Sequence, residues 1–453
     1  MPGHKGRGPL GCEELDITEI AGADELYEAE GIIAQSEANA TQLFSTARTY
    51  YSTEGSSQCI RAMLHLALQM RPAKAGRPVL LAARNAHKAL LYAAALLDFD
   101  IQWLWPAPDA AGALCTCPVE PEALSSALDE LSAEGRTPFG VYLTSPDYLG
   151  GMQDIRALSA VCDTFGVPLL VDNAHGAYLR FLPGEPLHPI ALGAAMCCDS
   201  AHKTLPVVTG GAYLHLGENA PVQEEAAVRG ALALFGSTSP SYLILQSLDA
   251  CNRQLTESYP AGLQRCCARL AALRGELNAA AQAAGCPVPL VLDGPGREPL
   301  KLTLDAAALG MTGTALADAL RGGQLECEYA DPRYVVLMFT PCNPPQDYAR
   351  LRTVLRQCLH SLPAAGRLPQ PEELAGEFMA LAQQARAHCT IRQAVFAPQE
   401  RIPVQQALGR ICAMPTVSCP PAIPIAVSGE EITPAALELM QRYGVTEVSV
   451  LRR

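Results

Sequence analysis

Asp199-Ser-Ala-His-Lys-Thr-Leu-Pro-Val-Val-Thr-Gly-Gly211 is a polar segment between two apolar ones. Ala194-Ala-Met-Cys-Cys198 before it and Ala212-Tyr-Leu-His-Leu216 after it both read as buried strands. Lys203 therefore sits in a loop between core strands, ahead of a glycine pair that permits close backbone approach. A lysine held there is costly to bury unless its charge is neutralised or bonded. Conversion to an imine is one way to neutralise it. A solvated turn lysine is the other reading of this segment on its own.

Outward from Lys203, strand-like and helix-like segments alternate. Pro78 to Ala83 reads as a strand, Arg84 to His87 as a loop, and Lys88 to Leu97 as a helix. Ile101 to Trp105 is strand-like, Glu120 to Ala133 helical, and Phe139 to Thr144 a strand closed by Ser145-Pro-Asp-Tyr-Leu-Gly-Gly151. Asp154 to Phe165 is a helix, and Val167 to Val171 a strand ending at Asp172. This alternation predicts an α/β fold with a mainly parallel sheet covered on both faces. Ligands bind at the C-terminal strand ends of such sheets. His87, Ser145, Asp172 and Lys203 each lie just past a strand, so one ligand could touch them all.

Before this core, a polar, acidic stretch reads as mostly helical to about Ser45. Thr53-Glu-Gly-Ser-Ser57 then leads into Ile60, Met63, Leu64, Ala67 and Leu68, one face of a helix with Ser56 or Ser57 as its N-cap. Gly-Ser-Ser at a helix start also offers N–H groups, hydroxyls and the positive dipole end to a phosphate. After the core, Tyr242 to about Ala284 reads as one long helix. Pro299–Leu304 and Tyr334–Phe339 read as strands around a helix near Thr314–Arg321, a smaller α/β unit. Pro363–Pro371 is a linker, Glu372–Ala387 a helix, Pro415–Gly429 a Pro-rich stretch, and Ile432–Arg442 a last helix.

The 453 residues allow two or three domains, and 49% hydrophobic residues allow a large core. The net charge of −13 disfavours non-specific nucleic-acid binding and suits a cationic substrate. No apolar run reaches membrane-spanning length, so no membrane partner is expected. The N-terminus has no apolar leader. The 17 cysteines include no Cys-x-x-Cys pair, so no metal site is expected. They read as reduced, buried thiols in a cytoplasmic protein.

Pyridoxal phosphate (PLP) needs an amine, an acid at its pyridine nitrogen, a face-stacking group and a phosphate cup. Lys203 supplies the amine, and Asp172, directly after a buried strand, the acid. His87 can stack on the ring; alone, it is equally a surface loop histidine. Gly55-Ser56-Ser57 suits the phosphate, and Ser200 and His202 flank the lysine.

Pro2-Gly-His-Lys-Gly6, Arg84-Asn-Ala-His-Lys88, Val171-Asp-Asn-Ala-His-Gly-Ala177 and Ser200-Ala-His-Lys203 resemble the signatures of the Orn/Lys/Arg decarboxylases, PLP enzymes of fold type I. Leu408-Gly-Arg-Ile-Cys-Ala413, Cys419-Pro-Pro-Ala-Ile-Pro424 and Gly429-Glu430 resemble that family's C-terminal domain. The resemblance implies a fold-type-I domain with a seven-stranded-type sheet, plus smaller α/β domains. The boundaries expected are 1–255 (PLP-binding), 256–365 (small α/β) and 366–453 (C-terminal).

The resemblance also implies roles. Lys203 carries PLP, Asp172 pairs with its pyridine nitrogen, Ala174 packs beneath the ring with His175 in the same turn, and His87 covers the other face. Ser56, Ser57, Ser200 and His202 hold the phosphate, and Ser239 reaches it from a partner subunit, so a homodimer is expected. His202 or Lys203 returns a proton to Cα. Glu328 lies in a segment near the substrate entrance. The activity implied is α-decarboxylation of arginine, lysine or ornithine to a polyamine-type amine. An aminotransferase or another lyase on the same fold, or a silent PLP-binding protein, are the alternatives. Nothing precedes Pro2-Gly-His-Lys, so a short form without the N-terminal wing is expected. Asn173, Tyr178, Ala201 and Ala422 depart from the residues common in relatives.

Overall fold

The computed structural model describes residues 2–71, 76–108, 113–360, 371–415 and 423–453. A first helix, α1 (Ile32–Phe44), leads to strand β1 (Arg48–Ser52) and helix α2 (Ser56–Met70). Then come β2 (Val79–Ala83), α3 (Lys88–Leu97), β3 (Asp100–Leu104), α4 (Pro121–Ala133), β4 (Val141–Thr144), α5 (Ile155–Phe165) and β5 (Leu169–Asp172). Strand β6 (Met196–Asp199), the single turn α6 (Ala201–Thr204), β7 (Ala212–Leu216) and α7 (Glu225–Leu234) follow.

The strands form one seven-stranded sheet in the order β1-β7-β6-β5-β4-β2-β3. Strands β3, β2, β4, β5 and β6 run parallel, while β7 is antiparallel to both β6 and β1. The expected mainly parallel sheet is therefore present, with one reversed strand. The reversal lets a short connection join β6 to β7, and that connection carries Lys203.

Alternation along each strand divides the core. Leu80, Ala82, Tyr142 and Leu170 join α2 and α3 on one face, whereas Val79, Leu81, Val141, Leu169 and Val171 join α4 and α5 on the other. Each fully buried leucine contributes about 1.5–3 kcal/mol, and Leu80, Leu81 and Leu170 are wholly inaccessible.

Helices α8 (Tyr242–Glu257) and α9 (Tyr259–Ala283) replace the single helix expected there. The break falls at Ser258, because Pro260 has no N–H to continue the ladder of α8. The smaller α/β unit contains β8 (Lys301–Asp305), α10 (Gly313–Gly322), β9 (Tyr329–Ala330), β10 (Tyr334–Met338) and α11 (Pro345–His360), with sheet order β8-β10-β9. At the C-terminal end stand α12 (Pro371–Gln384), α13 (Ile391–Phe396), β11 (Gln399–Pro403), α14 (Pro434–Arg442) and β12 (Glu447–Leu451). Buried Arg84 ties this region to the main sheet: it donates to the Ile425 carbonyl (3.0 Å) and pairs with Glu430 (3.2 Å) between Trp103 and Trp105.

Two further expectations need correcting. The first 45 residues are not mostly helical: beyond the 3-10 turn Leu26–Glu28, only α1 is a helix. The Asp24 carboxylate accepts the amides of Glu25, Glu30, Gly31 and Ile33 and folds the segment into turns instead. The N-cap of α2 is Gly55, not Ser56 or Ser57. Its φ of 70° and ψ of −179° suit glycine. The expected linker before Pro371 and the centre of the Pro-rich stretch, with Ala422, lie outside the described residues.

Candidate active site

The parallel strands β4, β5 and β6 end side by side, with Thr144 opposite Asp172 and Asp172 opposite Cys198. Tyr142, two residues before the end of β4, shares with Leu170 the face that α2 covers, and strand alternation puts Asp172 on that face too. The buried Asp172 carboxylate accepts from the Tyr142 hydroxyl (3.0 Å), the Ala174 amide (3.1 Å) and the Cys198 thiol (3.7 Å). Burial and the Asp172 charge both raise the Tyr142 pKa, so the phenol keeps the proton it donates. The carboxylate is thus fixed in orientation before any ligand arrives.

Lys203 projects from α6 into the same space. Its Nζ lies 2.8 Å from Nε2 of buried His175 and 5.7 Å from the centre of the Tyr148 ring. His175 meets that ring edge-on, with centroids 4.6 Å apart. Burial lowers the His175 pKa, and the charges of Lys203 and Lys301 push it the same way, so the imidazole is neutral. Tyr148 comes from the loop after β4, which is bound to the start of β8. Thr303 and Arg297 donate to the Leu149 carbonyl, and Lys301 donates to that of Asp147.

The other end of the site is polar. Ser200 donates to the Ser56 hydroxyl (2.9 Å), joining the α6 turn to the start of α2. Ser57 is the next residue of that first turn. The Gly55 amide donates to the Gly210 carbonyl (2.8 Å). Gly210 has a φ of 102°, and a Cβ there would come within 2.9 Å of the Thr53 carbonyl oxygen. His202 bonds the Gly211 carbonyl through Nδ1 (3.0 Å).

His87 caps α3 through Nδ1, and burial holds its pKa down at about 4 against the pull of Asp172. Its ring is therefore neutral near pH 7, as a stacking group should be. Ser239 sits apart on an exposed loop, where its amide donates to Ser237. Of the three carboxylates in the segment around Glu328, two are already engaged. Glu326 pairs with Arg321 at the surface (3.1 Å), and Asp331 accepts from the Tyr329 hydroxyl and the amides of Arg333 and Tyr334. Glu328 is left facing Lys203 and Lys301.

Behind the Lys203 turn lies a cluster the sequence did not reveal. His188 and His215 each place Nε2 near the same Asp199 oxygen, at 3.1 and 3.2 Å, and Asn173 donates to the other oxygen at 2.6 Å. Thr49 bonds Nδ1 of His215 (2.8 Å). Burial alone would raise the Asp199 pKa, but the two imidazoles outweigh it and hold the carboxyl below its usual range. Among the described residues these three are the only group with converging metal-ligand types. Their spacing and outer partners suit a hydrogen-bonded clamp that fixes the end of β6.

Tyr142, Tyr148, Lys301 and Glu298 were also missed. Tyr148 had a signal, since its loop follows a strand end. The donor set fits PLP: an amine beside a neutral imidazole, a locked carboxylate, a neutral ring at His87, and two hydroxyls at a glycine-capped helix start. The buried Nδ1 of His175, which has no hydrogen-bond partner among the described residues, adds a polar atom that a bound group can satisfy.

This fold and site define a PLP-dependent amino acid decarboxylase of fold type I. The family model for the Orn/Lys/Arg decarboxylase major domain matches residues 12–295, and that for its C-terminal domain matches residues 374–445. The chain belongs to the Orn/Lys/Arg decarboxylase family. It is 28% identical over 452 residues to an arginine decarboxylase of Bacillus subtilis, covering 96% of this chain and 87% of that one. An arginine decarboxylase of Halalkalibacterium halodurans is 25% identical over 452 residues, covering 96% and 88%. The solved constitutive lysine decarboxylase of E. coli superposes with a TM-score of 0.77 at 19% identity, covering all of this chain and 79% of that one. Among the described residues no helix is long and apolar enough to cross a membrane.

Proposed function

We propose that the chain decarboxylates a basic amino acid (arginine, lysine or ornithine) to CO2 and a polyamine-type amine. Glu328 carries this reading. Its carboxylate is partly buried beside Lys203 and Lys301, and it makes no hydrogen bond or ion pair among the described residues. A desolvated carboxylate without a partner is a receptor for a distal ammonium, or for a guanidinium through a paired contact. The net charge of −13 favours approach of such a cation.

PLP, when bound, supplies the electron sink for the pair left on Cα as CO2 departs. Lys203 carries it, Asp172 keeps the pyridine nitrogen protonated, His87 and Ala174 pack on its two faces, and Ser56, Ser57, Ser200 and His202 hold its phosphate. His175 and Lys203, in contact through Nε2 and Nζ, can hold and pass the proton that returns to Cα; His202 is the other candidate. The residue ranges 1–255, 256–365 and 366–453 serve as cofactor, small and C-terminal domains. Nine of the described cysteines are buried, which fits a reducing, cytoplasmic setting.

Full-length, PLP-loaded protein given arginine, lysine and ornithine separately should release CO2 and the matching amine from at least one. Keto acid without CO2 would overturn the reading. Glu328→Gln should lower kcat/KM for that substrate by about 10²-fold. Burial raises the Glu328 pKa, while Lys203 and Lys301 oppose the rise. Its charge is therefore lost at a higher pH than that of an exposed glutamate. As pH falls through that value, kcat/KM should drop, and the Gln variant should lack this acid limb.

The exposed Ser237–Ser239 loop supports a homodimer in which Ser239 reaches the partner's cofactor. Sedimentation at assay concentration should give twice the chain mass, and Ser239→Ala should weaken PLP retention. A fully active monomer would sink the idea.

A further inference from the structure

We infer that Lys301 is a second active-site lysine whose ammonium keeps the Lys203 amine neutral and nucleophilic. The inference rests on the reading that Lys203 carries the cofactor.

Lys301 begins β8 and is only 4% exposed. A buried ammonium normally has a carboxylate against it. Among the described residues Lys301 has none within ion-pair distance. Its one hydrogen bond goes to a neutral acceptor, the Asp147 carbonyl. The nearby carboxylates are occupied. Glu298 accepts from the amides of Leu300 and Lys301 and from the Tyr178 hydroxyl. Asp147 accepts the Gly151 amide. A tether to the Asp147 loop does not require a charge, because Thr303 holds the adjacent Leu149 carbonyl with a hydroxyl.

The position of the charge accounts for it better. The Lys301 and Lys203 nitrogens lie 5.9 and 5.7 Å from the centre of one ring, that of Tyr148. Like charges sharing a site disfavour one another, so the protonation of either amine lowers the proton affinity of the other. Burial lowers the Lys301 pKa and the Lys203 charge adds to this, against Glu298, Asp147 and Glu328. The groups around Lys203 include His175 in contact, with Tyr148, His87 and Glu328 nearby, and the Asp172 carboxylate acts on the same His87. The Glu328 carboxylate is shared with Lys301. When Lys203 is released, a charged Lys301 leaves its lone pair free. That pair forms the C–N bond at the cofactor's aldehyde carbon, and the carbonyl oxygen departs as water with the amine's two hydrogens. A neighbouring cation is a known way to activate a lysine for this step.

The test uses cofactor-free, full-length wild-type protein with Lys301→Gln, Lys301→Met and Lys301→Arg. Lys301→Gln keeps a donor for the Asp147 carbonyl, and Lys301→Arg keeps the charge. Each is mixed with pyridoxal phosphate over a pH series. The rate of appearance of the visible C=N band is followed, and the borohydride-reduced adduct is mapped. The midpoint of the rate profile should rise by about one pH unit or more in Gln and Met and stay near the wild-type value in Arg. Below the midpoint, that is about a tenfold slower capture. An adduct on Lys203 with an unchanged midpoint in Gln and Met, or with Arg shifted as far as Met, overturns the inference alone. A wild-type adduct on any other lysine overturns the assignment of Lys203 and the inference with it.

Discussion

Lys203→Ala is expected to lose the visible cofactor band and to reduce turnover by about 10⁴-fold or more, because in the proposed function its amine serves both cofactor attachment and product release. The loss should be local. Lys203 contributes a partly exposed side chain on a four-residue turn, and that turn is held by main-chain bonds from His202 to Gly211 and from Leu205 to Ala201. Thermal unfolding of the cofactor-free variant should therefore match that of the cofactor-free wild type. A band that survives in Lys203→Ala and is bleached by borohydride would place the attachment elsewhere.

Asp172→Asn should keep the cofactor but lower kcat by about 10²–10³-fold. A carboxylate at a pyridine nitrogen stabilises the charge that develops during reaction, and an amide does not. The substitution is nearly isosteric. Its oxygen can still accept from Tyr142 or the Ala174 amide, so the geometry of the β5 end should persist. The bound-cofactor spectrum, measured alongside kcat, separates lost chemistry from lost binding. Near-normal turnover with a normal spectrum would show that another group holds the ring proton.

The site was most legible where residues follow apolar strands. Asp172 and Lys203 each end or follow an apolar run that reads as a core strand, and the structure has Asp172 at the end of β5 and Lys203 on the turn between β6 and β7. Residues that reach the site from elsewhere left little trace. Lys301 opens the apolar strand β8, and a lone sequence does not say whether such a lysine faces solvent or a neighbouring domain. Glu326, Glu328 and Asp331 read alike, yet only pairing within the fold distinguishes the unengaged Glu328. Strands β1, Arg-Thr-Tyr-Tyr-Ser, and β11, Gln-Glu-Arg-Ile-Pro, carry too much polarity to register as strands. Each becomes one through a distant partner, β7 and β12 respectively.

Two departures from the family pattern gain a physical account in the same way. Asn173 donates to Asp199 and so joins the clamp behind the Lys203 turn. Tyr178 donates to Glu298, which in turn accepts the amides of Leu300 and of Lys301, the first residue of β8. Both are half of a pair whose other half lies far along the chain. Their effect is on how firmly the Lys203 turn and the Lys301 strand are placed.

The outermost strand also bears on how this protein is made. Arg48 to Ser52 leave the ribosome well before the residues they pair with, Ala212 to Leu216. At a synthesis rate of about 5–20 residues per second, β1 waits roughly 10–30 s for its neighbour. During that interval the β7-facing edge of β1 has no native partner, α1 has only β1 and not its later neighbours such as Tyr213 and α8, and the cost of closing so long a loop remains unmet. The segment around β1 therefore depends on something other than its native partner to keep its open edge from pairing wrongly until β7 emerges.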